Sequence, residues 1–218
     1  MCFSATASFV TAGVAGAIGL ASMARVNESR ELPLAATPIL FALQQGVEGL
    51  LWLNLPTAPD GATSTILTFL FLYFAEVFWP VYAPVTVLLI EPDQWRRRAM
   101  FACLAVGLAL GAYLFWCTFT EPHGARILGG HIVYEPTNWY SDIIAAAYLT
   151  ATALPLLLSS RRAVTAFGAI VFVGSTVAYV FYWEAFVSVW CFFAASASGV
   201  ILFHFERARR RRLQSAVA

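Results

Sequence analysis

Long apolar stretches alternate with short polar ones along almost the whole chain. A helix needs about 20 mostly apolar residues to cross the hydrocarbon core of a bilayer. The pattern therefore predicts an all-α fold, a polytopic transmembrane helix bundle that forms one transmembrane domain over residues 1–218. The last two spans are separated only by a tight connection at Glu184, so six spans is the alternative to seven. The seven predicted spans are residues 5–24, 33–53, 64–90, 99–118, 139–158, 163–183 and 186–205.

The arginines indicate which ends of the spans face the cytoplasm. The chain has 13 basic residues, all arginine, and every one except Arg126 lies after the first, third, fifth or seventh span. Positive residues concentrate on the cytoplasmic side of membrane proteins. We therefore expect the N-terminus outside, an outer loop at 119–138 and an arginine-rich cytoplasmic tail at 206–218. The expected location is the cell (plasma) membrane, as a multi-pass protein.

Composition supports contact with lipid and excludes several classes of protein. The chain is 60% hydrophobic and 11% charged, whereas soluble domains are about 25% charged. The surplus apolar surface is expected to face the lipid bilayer, and a formal net charge of +1 argues against nucleic acid as a partner. The absence of lysine excludes retinal and pyridoxal phosphate, which both attach to a lysine amine. Small residues in the first span, such as Gly13 and Gly16, favour close helix packing within the bundle or in an oligomer.

Ionisable groups inside the spans are few, and apart from His204 near the cytoplasmic interface they lie in the middle or the predicted outer half. They are Glu48 in span two, Glu76 in span three and Asp142 at the start of span five, with Glu184 at the outer turn. Ionisable groups are costly inside a bilayer and usually face the bundle interior or a water-filled cavity. These carboxyls therefore mark a candidate site.

Polar and aromatic residues lie at helical spacing from these carboxyls. Gln44 precedes Glu48 by four residues, and Tyr73 precedes Glu76 by three, so each pair is predicted to share a helix face. We expect a pocket in the outer half that binds or transports a small polar or cationic ligand, as a transporter or a sensor. The alternative is that each carboxyl only ties helices together, as in a structural assembly subunit. The predicted ligand-binding residues are Glu48, Glu76, Gln44, Gln45, Tyr73, Tyr179 and Asp142.

A second functional hypothesis is an intramembrane metal-dependent enzyme. His123 and His131 lie in the outer loop, and Cys2 would carry a free amine beside its thiol if Met1 were removed. Together with a helix carboxylate, these groups are possible ligands of a transition metal such as zinc, copper or iron. Their spacing matches no metal motif. The cofactor is therefore unknown, and the sequence does not decide whether the protein is an enzyme.

Two short motifs carry a family resemblance. The opening run MCFSATASF at residues 1–9 resembles the start of a family of bacterial multi-span membrane proteins of unknown function, and QQGVEG at 44–49 is similar to that family too. The resemblance covers most of the chain and implies no activity. Seven-span ceramidase-like hydrolases hold a metal with several histidines. Here the late spans contain only His204, so that similarity fails at the metal ligands.

Overall fold

The computed structural model describes residues 4–120, 123–135, 142–181 and 186–217, and nearly all of these residues are helical. A 3-10 turn, Ser29–Glu31, precedes α2, and a π-helical segment, Tyr73–Phe78, joins α3 to α4. Strands β1 (Gly124–Leu128) and β2 (His131–Glu135) form an antiparallel hairpin. The helices are α1 (Ala5–Met23), α2 (Leu32–Asn54), α3 (Ala62–Leu72), α4 (Trp79–Ile90), α5 (Gln94–Thr120), α6 (Asp142–Thr152), α7 (Leu154–Leu157), α8 (Arg162–Phe181), α9 (Phe186–Ala197) and α10 (Gly199–Val217).

Six of the seven predicted stretches form helices that are long and apolar enough to cross a bilayer. Their bounds are Ala5–Met23, Ser29–Asn54, Ala62–Ile90, Gln94–Thr120, Arg162–Phe181 and Ser188–Arg210. The predicted fifth span is shorter: Asp142–Leu157 is apolar, is interrupted at Ala153 just before Pro155, and follows residues outside the described part of the chain. The helical fold is therefore confirmed, whereas insertion into a membrane and the number of spans stay predictions.

The connections that carry the arginines meet at one end of the bundle, called here the arginine-rich end. Arg25, after α1, forms an ion pair with Glu206 of α10 at 2.8 Å. Arg96, at the start of α5, donates to the carbonyl oxygen of Leu158 after α7. Helix α10 continues to Val217. The predicted arginine-rich tail is therefore helical throughout its described part.

The hairpin lies in the segment predicted as the outer loop. Gly129 and Gly130, with φ of +56° and +78°, form its two-residue turn, a geometry that glycine adopts without strain. Tyr134 of β2 is buried and stacks on Phe71 of α3 with ring centroids 4.7 Å apart. Because β2 also contacts α9, the hairpin covers the ends of two helices. This side of the bundle is called the hairpin end.

Prolines determine the geometry of the long rod Ala62–Ile90. The N–H of Trp79 donates to the carbonyl oxygen of Phe74, five residues earlier, which is the hydrogen-bond pattern of a π-helix. In that register the Ala75 carbonyl would face the nitrogen of Pro80, which has no hydrogen. The hydroxyl of Tyr148 on α6 donates to the Ala75 oxygen instead, at 2.6 Å. A side chain of α6 therefore completes the backbone hydrogen bonding of the π segment.

A close helix crossing lies one turn further along this rod. The carbonyl of Pro80 lacks its usual donor four residues later, because residue 84 is also a proline without an N–H. Gly107 of α5 faces this oxygen, and a Cβ added at Gly107 would overlap it. Gly107 therefore allows α5 to approach the backbone of α4.

We expect Gly107→Ala to lower the free energy of unfolding by about 1–3 kcal/mol, the usual cost of overpacking. The measurement is the thermal unfolding midpoint of the detergent-purified protein. Gly13→Ala is the matched control, because an added Cβ at Gly13 meets nothing within 4 Å and alanine is the better helix former. Equal midpoints for the two variants would contradict the close crossing.

Glu91 ties the end of α4 to the connection before α8. Burial of this carboxyl raises its pKa, but hydrogen bonds from Ser160, Asp93 and Ser159 outweigh burial and hold the pKa below its ordinary value of 4.5. The Ser160 N–H donates at 2.8 Å and the Ser159 hydroxyl at 3.3 Å. The ionised carboxylate therefore stabilises this corner of the arginine-rich end.

Because the pKa of Glu91 is lowered on folding, its stabilisation is present above pH 4.5 and is lost as the pH falls through the lowered pKa. We expect the thermal midpoint of Glu91→Gln to fall less than that of the unsubstituted protein between pH 6 and about pH 4. Asp60→Asn, at an exposed position, is the control and should keep the original pH dependence. An unchanged slope in Glu91→Gln would show that this carboxylate is not a stabilising link.

Candidate functional site

Three polar side chains of α2 are fully buried in the bundle. Gln44, Gln45 and Glu48 are each 0% exposed, although hydrophobic residues surround them in the sequence. The spacing of four residues places Gln44 and Glu48 on one face, and Gln45 lies beside them. A buried amide or carboxyl is costly unless it has hydrogen-bond partners, so the contacts of these three residues are informative.

Glu48 links α2 to α9. The hydroxyl of Ser188 donates to one of its carboxyl oxygens at 2.5 Å, and the amide nitrogen of Gln45 donates to the other at 3.1 Å. The amide oxygen of Gln45, Oε1, is buried without a hydrogen-bond donor among the described residues. An acceptor without a donor therefore lies next to a carboxyl group.

Gln44 links the same helix to two neighbours at once. Its amide oxygen accepts the indole N–H of Trp79 at 2.7 Å, and its amide nitrogen donates to the Cys191 sulfur at 3.1 Å. Trp79 also stacks on Phe41 with ring centroids 4.0 Å apart. These contacts fix the amide orientation of Gln44, because an indole can only donate.

Glu76 lies in the π segment and is 2% exposed. The Thr118 hydroxyl of α5 is 3.3 Å from its Oε2 and 2.7 Å from the carbonyl oxygen of Leu114. Cys191 lies within electrostatic range of both Glu76 and Glu48, so the two carboxyls belong to one region. We call this group the polar cluster; its members are Gln44, Gln45, Glu48, Glu76, Trp79, Ser188 and Cys191.

Two other predicted ligand-binding residues form a separate pair near the start of α6. The Tyr179 hydroxyl of α8 donates to Asp142 Oδ1 at 3.1 Å. Both residues line a pocket of about 260 Å³ between α6 and α8, together with Tyr148 and Ser175. Tyr148 also bonds to the π segment, so this side chain contacts both the pocket and the segment that carries Glu76.

Tyr73 lies away from these contacts. It is 38% exposed, and its ring packs edge-on against Phe74. Tyr73 is predicted beside Glu76 only if the chain is α-helical there, because residues three apart share a face of an α-helix. The π segment begins at Tyr73, and its wider winding turns Tyr73 away from the direction of Glu76.

Four partners of the predicted residues were not among the predicted site residues: Trp79, Thr118, Ser188 and Cys191. Each is a polar or polarisable residue at a buried position of an apolar helix. Besides that isolation, Trp79 follows Glu76 by three residues and Cys191 follows Ser188 by three, so helical spacing is a second sequence signal for three of them. Isolation is a weak signal, because Thr and Ser in helices commonly bond to the carbonyl four residues earlier, as Ser175 does here.

A small cavity adjoins the cluster on the side of the arginine-rich end. Its volume is about 30 Å³, and its lining includes Trp79, Tyr82, Thr86, Thr152 and Trp190. The Trp190 indole nitrogen is buried without a partner in the described part of the chain, whereas the Thr86 hydroxyl lies beside the Tyr82 hydroxyl. The surface that lines this cavity is almost entirely apolar, which is typical of a small cavity that stays dry.

The residues predicted to hold a metal are only partly described. Cys2 lies outside the described residues. His123 precedes β1 and His131 begins β2, where burial lowers the pKa of His131 below its ordinary value of 6.5. Among the described residues, no group of three or more His, Cys, Asp or Glu side chains is placed to hold a metal ion. The metal site therefore stays a prediction.

These features define a bundle of membrane-spanning dimensions with two buried carboxyls, two amides and a thiol near its centre. The chain matches a family of unknown function, DUF6629, over residues 1–217, and it belongs to that family. No curated protein and no solved structure matches the chain.

We expect Tyr148→Phe to destabilise the bundle by about 1–3 kcal/mol, because it leaves the buried Ala75 carbonyl without a donor. The thermal unfolding midpoint in detergent measures this. Tyr73→Phe is the matched control, since Tyr73 is partly exposed and its hydroxyl has no such role. A midpoint of Tyr148→Phe equal to that of the control would remove the proposed link between α6 and the π segment.

Proposed function

We propose that the protein spans a membrane and binds a small cationic or hydrogen-bond-donating ligand at the polar cluster, as a transporter or a sensor. Large apolar side chains on its outer surface support the membrane location. Val10, Leu20, Ile66, Trp116 and Phe203 are each at least 60% exposed. Such a surface is stable in lipid and unstable in water.

The proposed orientation places the arginine-rich end in the cytoplasm, following the positive-inside rule. The hairpin end then lies outside. The shorter helix Asp142–Leu157 would cross as the fifth of seven spans, which puts the N-terminus outside and the C-terminus in the cytoplasm. In this frame Glu48 lies in the outer half and Glu76 near the middle of the bilayer.

The excess of acceptors in the cluster is the observation that carries the ligand proposal. Gln45 Oε1 is buried without a donor in the described part of the chain, and it adjoins a carboxyl that already accepts from Ser188 and Gln45. A buried acceptor without a partner is costly. A cation, or a ligand that donates hydrogen bonds, would satisfy it and would also offset the charge of an ionised carboxyl.

The arrangement of the cluster also favours a binding role over a purely structural one. A carboxyl that only ties two helices needs one partner helix, but this cluster draws side chains from α2, α4, α9 and the π segment. π segments inside helices are frequent at functional sites. A ligand bound here would contact helices that can respond together, which a transporter or a sensor requires.

The ligand is tested by thermal stabilisation of the detergent-purified protein. The probes are the chloride salts of sodium, potassium, guanidinium, tetramethylammonium, ethanolamine and spermidine. The probe that raises the unfolding midpoint most is then used with the variants. We expect Glu48→Gln and Glu76→Gln to abolish that rise while still giving monodisperse protein, because each removes a charge and keeps the shape of the side chain.

Glu91→Gln is the matched control, because Glu91 is a buried carboxyl outside the cluster. It should keep the full response to the probe. Flux of the probe into proteoliposomes separates a transporter from a sensor. A probe response that survives in both Glu48→Gln and Glu76→Gln, or a panel with no response at all, would favour the structural subunit.

A further inference from the structure

A groove at the arginine-rich end is lined by basic side chains from two helices. It lies between the first turns of α8 and the middle of α10 and has a volume of about 690 Å³. Arg161 and Arg162 line it from one side, and Arg207 and Arg212 from the other, with His204 between them. No carboxylate is among its described lining residues.

The ion pairs among the described residues involve three carboxylates and other arginines. The ion pairs join Arg25 and Arg210 to Glu206, Arg30 to Glu28, and Arg96 to Asp93. None of them involves Arg161, Arg162 or Arg207. Glu31 lies within electrostatic range of His204 and lines a neighbouring pocket with Arg161, so it offsets part of this charge. The groove itself is lined by four arginines and no described carboxylate, and like charges held together favour an anion between them.

The start of α8 adds to this potential. The helix begins at Arg162 and is 20 residues long, and Ala163 of its first turn lines the groove. The first N–H groups of a helix have no partner within the helix, and they carry the positive end of its dipole. Backbone donors and guanidinium groups together form the kind of site that binds phosphate.

The opposite part of the groove is apolar. Ala166, Val200 and Phe203 line it, and Phe203 is 63% exposed. Both helices run from this region toward the centre of the bundle, so the groove passes from charged to apolar surface along the proposed membrane normal. An anionic phospholipid has the same arrangement, with a charged phosphate at one end and an apolar acyl chain at the other.

We propose that this groove binds one anionic phospholipid of the cytoplasmic leaflet. Its phosphate contacts Arg161, Arg162 and Arg207 at the start of α8, and an acyl chain lies along Phe203. Charge complementarity and the apolar continuation both favour a lipid over a free phosphate ion. The proposal rests on the membrane location proposed above, and it is independent of the ligand at the polar cluster.

Native mass spectrometry of the full-length protein, released from detergent with added lipid, tests this site. We expect phosphatidylglycerol to bind with a stoichiometry of one at low concentration and phosphatidylcholine to bind at least about tenfold more weakly, since each basic contact favours anionic lipid. The triple substitution Arg161→Gln, Arg162→Gln and Arg207→Gln should remove this preference. Phe203→Ser should weaken the binding of both lipids, and phosphatidylglycerol should still bind more tightly than phosphatidylcholine.

The matched control is Arg30→Gln with Arg98→Gln, two exposed arginines outside the groove; it should bind like the unsubstituted protein. An equal loss of phosphatidylglycerol preference in the control and the triple variant would show that anionic lipid is attracted to the whole basic surface, and it would overturn the proposed site. Full displacement of lipid by millimolar inorganic phosphate would show a free-anion site instead. If the triple variant is not monodisperse, Arg207→Gln alone must still lower the preference, and an unchanged preference overturns the proposal.

The variants of the polar cluster separate this proposal from the proposed function. Glu48→Gln and Glu76→Gln should bind phosphatidylglycerol normally while losing the response to the cationic probe. Loss of lipid selectivity in the arginine variants with an intact probe response confirms two independent sites. Recovery of the protein from cells without detergent would instead contradict the membrane location on which the lipid site rests.

Discussion

A polar group buried in an apolar helix bundle must find its partner inside the protein, and this requirement organises the centre of the structure. Prolines 80 and 84 remove two backbone donors from the rod Ala62–Ile90. The Tyr148 hydroxyl replaces one of them at Ala75, and Gly107 gives α5 room beside the carbonyl of Pro80. The π segment that carries Glu76 therefore depends on residues of α5 and α6.

The same requirement explains why the polar cluster joins several helices. An isolated amide or carboxyl costs free energy in a low-dielectric interior, whereas a connected network recovers most of that cost. Gln44 is held by Trp79 and Cys191, and Glu48 by Ser188. Each link crosses between helices, so the network also fixes how these helices are arranged. The unpartnered oxygen of Gln45 is the place where the network, in its described part, lacks a donor.

The sequence was sufficient to predict the helices and to single out several buried polar residues, whose role as a ligand site stays a prediction. The cost of burying Glu48, Glu76 and Gln44 made those positions recognisable without a structure, and they lie in one region. Tyr73 was predicted on the same face as Glu76, and it lies elsewhere because hydrophobic spacing does not reveal a π segment. Pairing between distant helices, as between Gln44 and Cys191, depends on tertiary packing that a local pattern does not contain. The hairpin was expected as a loop, although its adjacent glycines are a turn signal.

The contact between Gly107 and the Pro80 carbonyl limits how the bundle can move. Because the two backbones interlock at that point, α5 cannot slide along α4 or roll over it without a steric clash. Helices α4 and α5 thus act as a fixed frame for the π segment. Helix α9, which carries Ser188 and Cys191 of the polar cluster, is not part of this frame and is interrupted at Ser198 before α10 begins. The interlock therefore resists sliding of α5 along α4, and the packing of α9 against α2 is not subject to that restriction.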